Sequence, residues 1–334
     1  MKRNIALVTG GFTGESVISF KSADFVESQL DRNKYNVYKI VILRECWYFL
    51  DDKSVKHTVD KNDFSITLNS IKITFDLAFI MLHGSPGEDG KLQGYFDLLA
   101  MPYTSCDVLT SSLTMNKGYS KAILDGIKDL YTARSIQLFE NSVEAEKALL
   151  NNLVLPLFIK PNNGGSSIGM SKVKTADELS GGLLKAFNED HQVLVEEFVQ
   201  GREFSIGVYK NSNGIQVLPA TEVIPSNEFF DFEAKYTPGA TEEITPGRMT
   251  EEEKSRVERI VTDIYLKLNC KGMVRIDYFL QKETSNFYFI EINTIPGQTA
   301  QSFIPQQVRA AGLNIGAFYE NLIEMALPNN SNAF

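Results

Sequence analysis

MVRIDYFL, residues 273–280, and FYFIEI, residues 287–292, are the stretch on which the fold of this chain turns. Both are rich in β-branched and aromatic residues and are joined by a short polar segment, so they predict two strands of a hairpin. Arg275 and Asp277 are two apart on the first, and Glu291 and Asn293 are two apart at the end of the second. Residues two apart on a strand share a face. With the turn centred near Thr284, Asp277 falls opposite Glu291 and Arg275 opposite Asn293. The other face carries Val274, Ile276, Tyr278, Ile290 and Ile292. One face is therefore apolar core and the other an Arg/Asp/Glu/Asn quartet. Asp, Glu and Asn offer hard oxygens suited to Mg²⁺ held beside nucleotide phosphates. Spacing alone equally permits a half-exposed hairpin with salt-bridged solvent residues.

Upstream, Thr250 with Glu253 makes a capping box for a helix ending near Leu268. Residues 225–249 show no period, which is long for a structureless loop and points to function. Phe204–Tyr209 and Val193–Phe198 read as strands on either side of Gly201. Thr175 with Glu178 predicts a second capping box, for a helix ending near Phe187. Between strands Leu157–Lys160 and Ile168–Val173 lies Asn162-Asn163-Gly164-Gly165-Ser166-Ser167, with Lys160 at its entrance. A glycine-rich turn of this kind could bring backbone N–H groups to phosphates, or be a plain hairpin turn. It is not a P-loop, because strands flank it and no Gly-Lys-Ser/Thr follows. Ser142 is placed to cap a helix through Leu150.

Near the start, Ile5–Thr9, Tyr35–Leu43 and Phe75–Leu82 read as strands, with a helix from Ser16 to about Leu30. The alternation predicts an open parallel α/β unit over roughly the first hundred residues. Residues 51–70 are polar and turn-rich and predict a surface excursion. Gly10-Gly11-Phe12-Thr13-Gly14-Glu15 follows the first strand. Its helix N-terminus could hold an anion, but Glu15 would repel a pyrophosphate and attract an ammonium, which disfavours NAD. His83-Gly-Ser-Pro-Gly-Glu-Asp-Gly follows the third strand, where open α/β sheets carry ligand loops. His83 reads either as a structural histidine or as a site residue. No cysteine or second histidine stands nearby for zinc, and Ser166 lacks a nucleophile-elbow pattern.

The chain has 334 residues, with 43% hydrophobic and 22% charged, enough for two or three soluble domains. A net charge of −9 argues against a general nucleic-acid surface. Three widely spaced cysteines form no disulfide framework. No stretch approaches a membrane span, and no signal-peptide core opens the sequence, so a cytoplasmic protein is expected.

Taken in order, Gly-Gly…Glu15…Ser19, His83-Gly-Ser-Pro-Gly-Glu-Asp-Gly, Met115-Asn-Lys117, Lys160-Pro…Gly-Ser166-Ser167-x-Gly-Met, Glu196-Glu197-Phe-Val199 with Gly201-Arg-Glu203, Glu233-Ala-Lys235-Tyr236, Gly272-Met-Val-Arg275-Ile-Asp277 and Glu291-Ile-Asn293-Thr-x-Pro-Gly297 resemble the D-alanine–D-alanine ligase family of the ATP-grasp fold. The resemblance covers nearly the whole chain. It implies an N-terminal α/β substrate domain (1–114), a central ATP-grasp subdomain with the phosphate flap (115–202), and a C-terminal one with lid and metal site (203–334). It implies that two D-alanines are joined through a D-alanyl phosphate at the expense of ATP, giving the dipeptide of peptidoglycan precursors.

By the same resemblance, Lys117 and Lys160 bind phosphates, with Ser166 and Ser167 in the flap above them. Glu196, Glu197, Val199 and Glu203 line the adenine and ribose pocket, and Asp277, Glu291 and Asn293 hold two Mg²⁺ or Mn²⁺. Glu15 takes the first ammonium, linked to Ser166 and Tyr236, with His83 close by. Arg275 and the Gly297 N–H stabilise the oxyanion, while Ser302 and the Phe303 backbone receive the second carboxylate. The lid brings Lys235 to phosphate. A homodimer is implied. Gln298, Phe303 and Asn163-Gly164 depart from the family pattern. An acceptor such as D-serine or D-lactate is the near alternative, and the Lys235-Tyr236 pair favours an amine. A nicotinamide-dependent dehydrogenase built on the first glycines is the distant one, and nothing after residue 115 supports it.

Overall fold

The structure is a computed structural model that describes residues 2–165, 168–225 and 241–328. Ser166, Ser167, Lys235 and Tyr236 lie outside these. The first sheet is built from β1 (Arg3–Gly10), β2 (Tyr35–Ile42), β3 (Trp47–Leu50) and β4 (Lys56–Thr58). A separate pair, β5 (Ile66–Leu68) and β6 (Ile71–Ile73), precedes the sheet's last strand, β7 (Leu77–Ile80). The order is β4-β3-β2-β1-β7. β1 runs parallel to β2 and β7, while β3 and β4 add antiparallel strands at one edge. The expected parallel unit is thus the centre of a mixed sheet. Ile5, Leu7 and Val8 are fully buried, as a covered parallel strand requires, with α1 (Ser16–Gln29) packed alongside.

Residues 51–70 are more than the surface excursion expected of them. Val59, Phe64 and Ile66 are buried in the first core, and the Phe64 ring meets Phe96 edge-on at 4.9 Å. Three apolar residues at irregular spacing show no period, so polar neighbours hid them. Gly10 is required by close approach: its φ is +102°, and a Cβ would stand 2.4 Å from the Ile42 carbonyl oxygen.

After α2 (Lys91–Leu98), α3 (Val108–Met115) and α4 (Lys117–Leu124), β8 (Leu130–Thr132) joins the large sheet described below. A second, antiparallel sheet follows: β9 (Ser135–Leu138), β10 (Leu157–Pro161), β11 (Ser171–Val173) and β12 (Val193–Glu197), in the order β11-β10-β12-β9. α5 (Val143–Asn152) and α6 (Leu179–Phe187) share its core. Ser142 caps α5 by accepting from the Ala145 N–H at 3.2 Å. The box expected at Thr175 does not form. Glu178 reaches one residue further back, to the Lys174 N–H at 2.7 Å, and residues 176–178 make a 3₁₀ turn before α6.

The large sheet holds β13 (Gly201–Asn211), β14 (Gly214–Val217), β15 (Thr221–Pro225), β16 (Thr241–Ile244), β17 (Met273–Gln281) and β18 (Phe287–Asn293). Its order is β16-β15-β13-β17-β18-β8, with β14 paired to β13. α7 (Glu251–Lys267) buries Val257, Ile260, Val261 and Ile264 against it. The Thr250 capping box forms with both reciprocal bonds, at 3.2 and 3.0 Å. α8 (Phe303–Ala310) and α9 (Ile315–Ala326) return to the start of the chain: Val308, Phe318, Tyr319 and Ile323 belong to the same core as β1 and β7. The two ends of the chain therefore fold around one core.

Candidate active site

The β17–β18 register pairs Arg275 with Asn293 and Asp277 with Glu291, as strand alternation predicts. It then breaks: Tyr278 pairs with Phe289, leaving Ile290 as the extra residue of a β-bulge. Ile290, expected on the apolar face, lines the cleft instead, and Phe289 takes the core position. A one-residue shift exchanges the faces of everything beyond it. At the shift, Tyr278 stacks on Phe204 at 5.5 Å and on Phe287 at 4.3 Å.

Arg275 grips Asp277 with two charge-assisted hydrogen bonds, at 2.9 and 2.7 Å. Ser205, directly opposite on β13, donates to Asp277 Oδ1 at 2.6 Å, and Asn293 Nδ2 donates to Oδ2 at 3.2 Å. Burial alone would lower the Arg275 pKa, but the Asp277 charge and hydrogen bonds outweigh it and raise it further above its ordinary value. Arg275 is a permanent cation here, and its guanidinium lies 5.7 Å from the centre of the Phe303 ring.

Lys117 opens α4, which is capped by Asn116. Its buried ammonium bonds the Gly164 carbonyl of the glycine-rich turn and lies 3.7 Å from Glu291. Behind it, the Glu196 carboxylate takes Lys160 on one oxygen and Lys121 on the other, each at 2.5 Å. Burial would raise the Glu196 pKa, yet the two ammonium groups hold it below its ordinary value. Burial lowers Lys121 despite its partner. Glu197 accepts from the Val154 N–H at 3.0 Å through its side chain and also lines the cleft. Val199 and Glu203 continue the same wall.

Across the cleft, Glu15 stands at the start of α1. The glycine-rich turn comes close to it: a Cβ on Gly165 would stand 2.8 Å from its carboxylate. His83 is 6% exposed, and burial pushes its pKa down to about 4. Its Nδ1 faces the Ile295 carbonyl at 2.8 Å and its Nε2 faces Ser22 Oγ at 3.0 Å. A carbonyl only accepts, so Nδ1 carries the proton and Nε2 accepts from Ser22. Nearby, burial and then the Glu15 charge push Glu88 up to about 8, although the Gly84 N–H donates to it at 2.7 Å. Ser302 begins α8, and its Oγ accepts from the Thr299 N–H at 2.9 Å.

Every described residue to which the resemblance gave a site role lines one cavity of about 620 Å³, including Gly297, Ser302 and Phe303. Sequence reasoning missed Lys121, Glu88 and Ser205. Lys121 sits four residues after Lys117, on the same helical face, and Glu88 lies inside the quoted His83 motif. Ser205 carried no local signal, since only strand pairing sets it opposite Asp277. Among the described residues, no group of three or more His, Cys, Asp or Glu could hold a metal. Two carboxylates and an amide, at Asp277, Glu291 and Asn293, nevertheless suit a hard divalent cation that completes its shell with phosphate and water oxygens.

The family pattern for the D-ala D-ala ligase N-terminus matches residues 4–106, and that for the C-terminus matches residues 127–324. The chain belongs to the D-alanine–D-alanine ligase family. Curated D-alanine–D-alanine ligases of Parabacteroides distasonis and Flavobacterium johnsoniae are 45% and 41% identical to it. These alignments cover 98% and 97% of this chain and 99% of each relative. Among solved members of the family, the VanG D-Ala:D-Ser ligase of Enterococcus faecalis superposes with a TM-score of 0.87 at 31% identity, covering 98% of this chain and 100% of that one. The Bacillus anthracis D-alanine–D-alanine ligase solved with ATP gives 0.75 at 27% identity, with 97% of each chain covered. The ATP-grasp architecture expected from the motifs is the one these relatives share.

Proposed function

We propose that this protein is an ATP-dependent ligase that joins two D-alanines. The observation that carries this reading is the single cavity in which Arg275, Asp277, Glu291 and Asn293 face Lys117, Lys160 and Glu15. The first D-alanine carboxylate attacks the γ-phosphate of ATP, giving D-alanyl phosphate and ADP. Two anions must meet in that step, and Lys117 and Lys160 supply the neutralising charge. Two Mg²⁺ or Mn²⁺ at Asp277, Glu291 and Asn293 would screen the phosphates further.

Glu15 holds the first ammonium. The neutral His83 is a structural prop beside that substrate and takes no proton at working pH. The second amine attacks the acyl carbon, Arg275 and the Gly297 N–H meet the oxyanion, Ser302 and the Phe303 backbone hold the second carboxylate, and phosphate leaves. Glu196, Glu197, Val199 and Glu203 would frame adenine and ribose. Ser166, Ser167, Lys235 and Tyr236 would close over the site, excluding water from the acyl phosphate. The three-part division at 114 and 202, a homodimer and a cytoplasmic location belong to the same reading. No helix among the described residues is long and apolar enough to cross a membrane.

ADP, phosphate and dipeptide should appear in equal amounts with ATP, Mg²⁺ and D-alanine. The same assay with D-serine and D-lactate sets the acceptor. NADH turnover with a 2-hydroxy acid and no ATP requirement would overturn the proposal.

A further inference from the structure

Gly297 N–H and the Pro296 carbonyl belong to one peptide plane and point in opposite directions across it. Gln298 reaches back over Gly297 and donates from Nε2 to that carbonyl at 3.1 Å. Gln298 Oε1 accepts from the Tyr319 hydroxyl at 2.8 Å, and the Gln298 N–H donates to Ser22 Oγ at 3.1 Å. Gln298 and Tyr319 are both fully buried. A carbonyl only accepts, so the amide nitrogen must face Pro296 and the amide oxygen must face the phenol. Burial holds the Tyr319 pKa far above its ordinary value, so the hydroxyl stays a donor.

We propose that Gln298 and Tyr319 are positioning residues for the ligase reaction, anchoring the Pro296–Gly297 peptide by its carbonyl so that the Gly297 N–H is aimed and strengthened as the oxyanion donor. This rests on the ligase reading, which places a tetrahedral oxyanion beside Gly297. Holding one end of a planar peptide sets the direction of the other. A hydrogen bond at the carbonyl also draws electron density from the N–H, and the chain from Tyr319 through Gln298 to the peptide polarises each link in the same sense. A donor fixed before charge develops has no reorganisation left to do. An apolar side chain would fill the same space without the desolvation of a buried amide. The amide is explained by the direction it imposes on the peptide. Neither side chain touches reacting atoms.

Three variants of the full chain test this: Gln298→Met, which keeps length and loses both side-chain bonds, Tyr319→Phe, which loses only the distal one, and the double variant. In Gln298→Met, kcat for dipeptide should fall about ten- to hundredfold, with KM for ATP unchanged. Phosphate released per dipeptide should rise, because acyl phosphate still forms and leaks to water while amine attack is slowed. Tyr319→Phe should show the same pattern at about two- to tenfold, and the double variant should be no slower than Gln298→Met. An unchanged kcat and phosphate ratio, a loss confined to KM, or losses that multiply in the double variant would each overturn the relay. If Gln298→Met does not fold, Tyr319→Phe decides alone by the same criteria. If the wild-type chain makes no dipeptide, the ligase reading falls and the relay with it. If the wild type makes dipeptide and the variants match it, only the relay falls.

Discussion

Glu196 and Lys160 form a buried ion pair of 2.5 Å in the cleft wall, and Lys121 closes on the second carboxylate oxygen at the same distance. Neither ammonium has bulk water to fall back on, because Lys160 and Lys121 are 3% and 8% exposed. Removing one member of such a set leaves buried charge uncompensated. Glu196→Ala should therefore destabilise the fold by about 3–5 kcal/mol and weaken ATP binding. Urea unfolding and the KM for ATP measure the two effects. A variant as stable as wild type would mean that water reaches this triad.

Asp277→Asn and Glu291→Gln change little volume and face the cavity. Each should lower metal-dependent turnover on the order of a hundredfold. Glu291→Gln should leave the unfolding midpoint near wild type, whereas Asp277→Asn should also lower it, because Arg275 loses its counter-charge. A Mg²⁺ titration of activity reads this directly. Metal dependence matching wild type in both variants would return the quartet to a structural salt-bridge cluster.

His83 is neutral in the fold down to a pKa of about 4, against 6.5 when exposed. The unfolded chain binds the extra proton between those values, so stability is fully present above about pH 6.5 and is lost as pH falls toward 4. At pH 5 this amounts to about 2 kcal/mol. His83→Asn, which cannot take up that proton, should show a flatter acid limb than wild type in urea midpoints between pH 7 and 5. Parallel curves would show that His83 protonates as freely in the fold as outside it.

Glu88 acts in the opposite sense. Its folded pKa is raised to about 8 from 4.5, so the native state holds the extra proton. The contribution is complete below about pH 4.5 and is lost as pH rises through 8. Glu88→Gln should therefore gain stability relative to wild type as pH is raised from 5 to 9. A constant difference between the two across that range would remove the neutral carboxylic acid from the cleft.

Much of the site was legible in one dimension because strand alternation is a local rule. Arg275, Asp277, Glu291 and Asn293 could be placed on one face and paired from a turn near Thr284, and the structure keeps that register. The Thr250 box was legible for the same reason, since both partners lie within one helical turn. The bulge at Ile290 was not, because alternation along one strand carries no mark of an extra residue, and Tyr278 there stacks on Phe204 from a strand more than seventy residues earlier. By itself, the sequence determined the element types, the polar face of the hairpin and the motif order that marks the family. Only the tertiary structure set Ser205 against Asp277, Lys121 beneath Glu196, and Gln298 and Tyr319 behind Gly297. The Tyr319 partner lies on a helix that shares its core with the first strand. Such pairings follow from how separate apolar faces pack together, and no periodicity along the chain encodes which faces will meet.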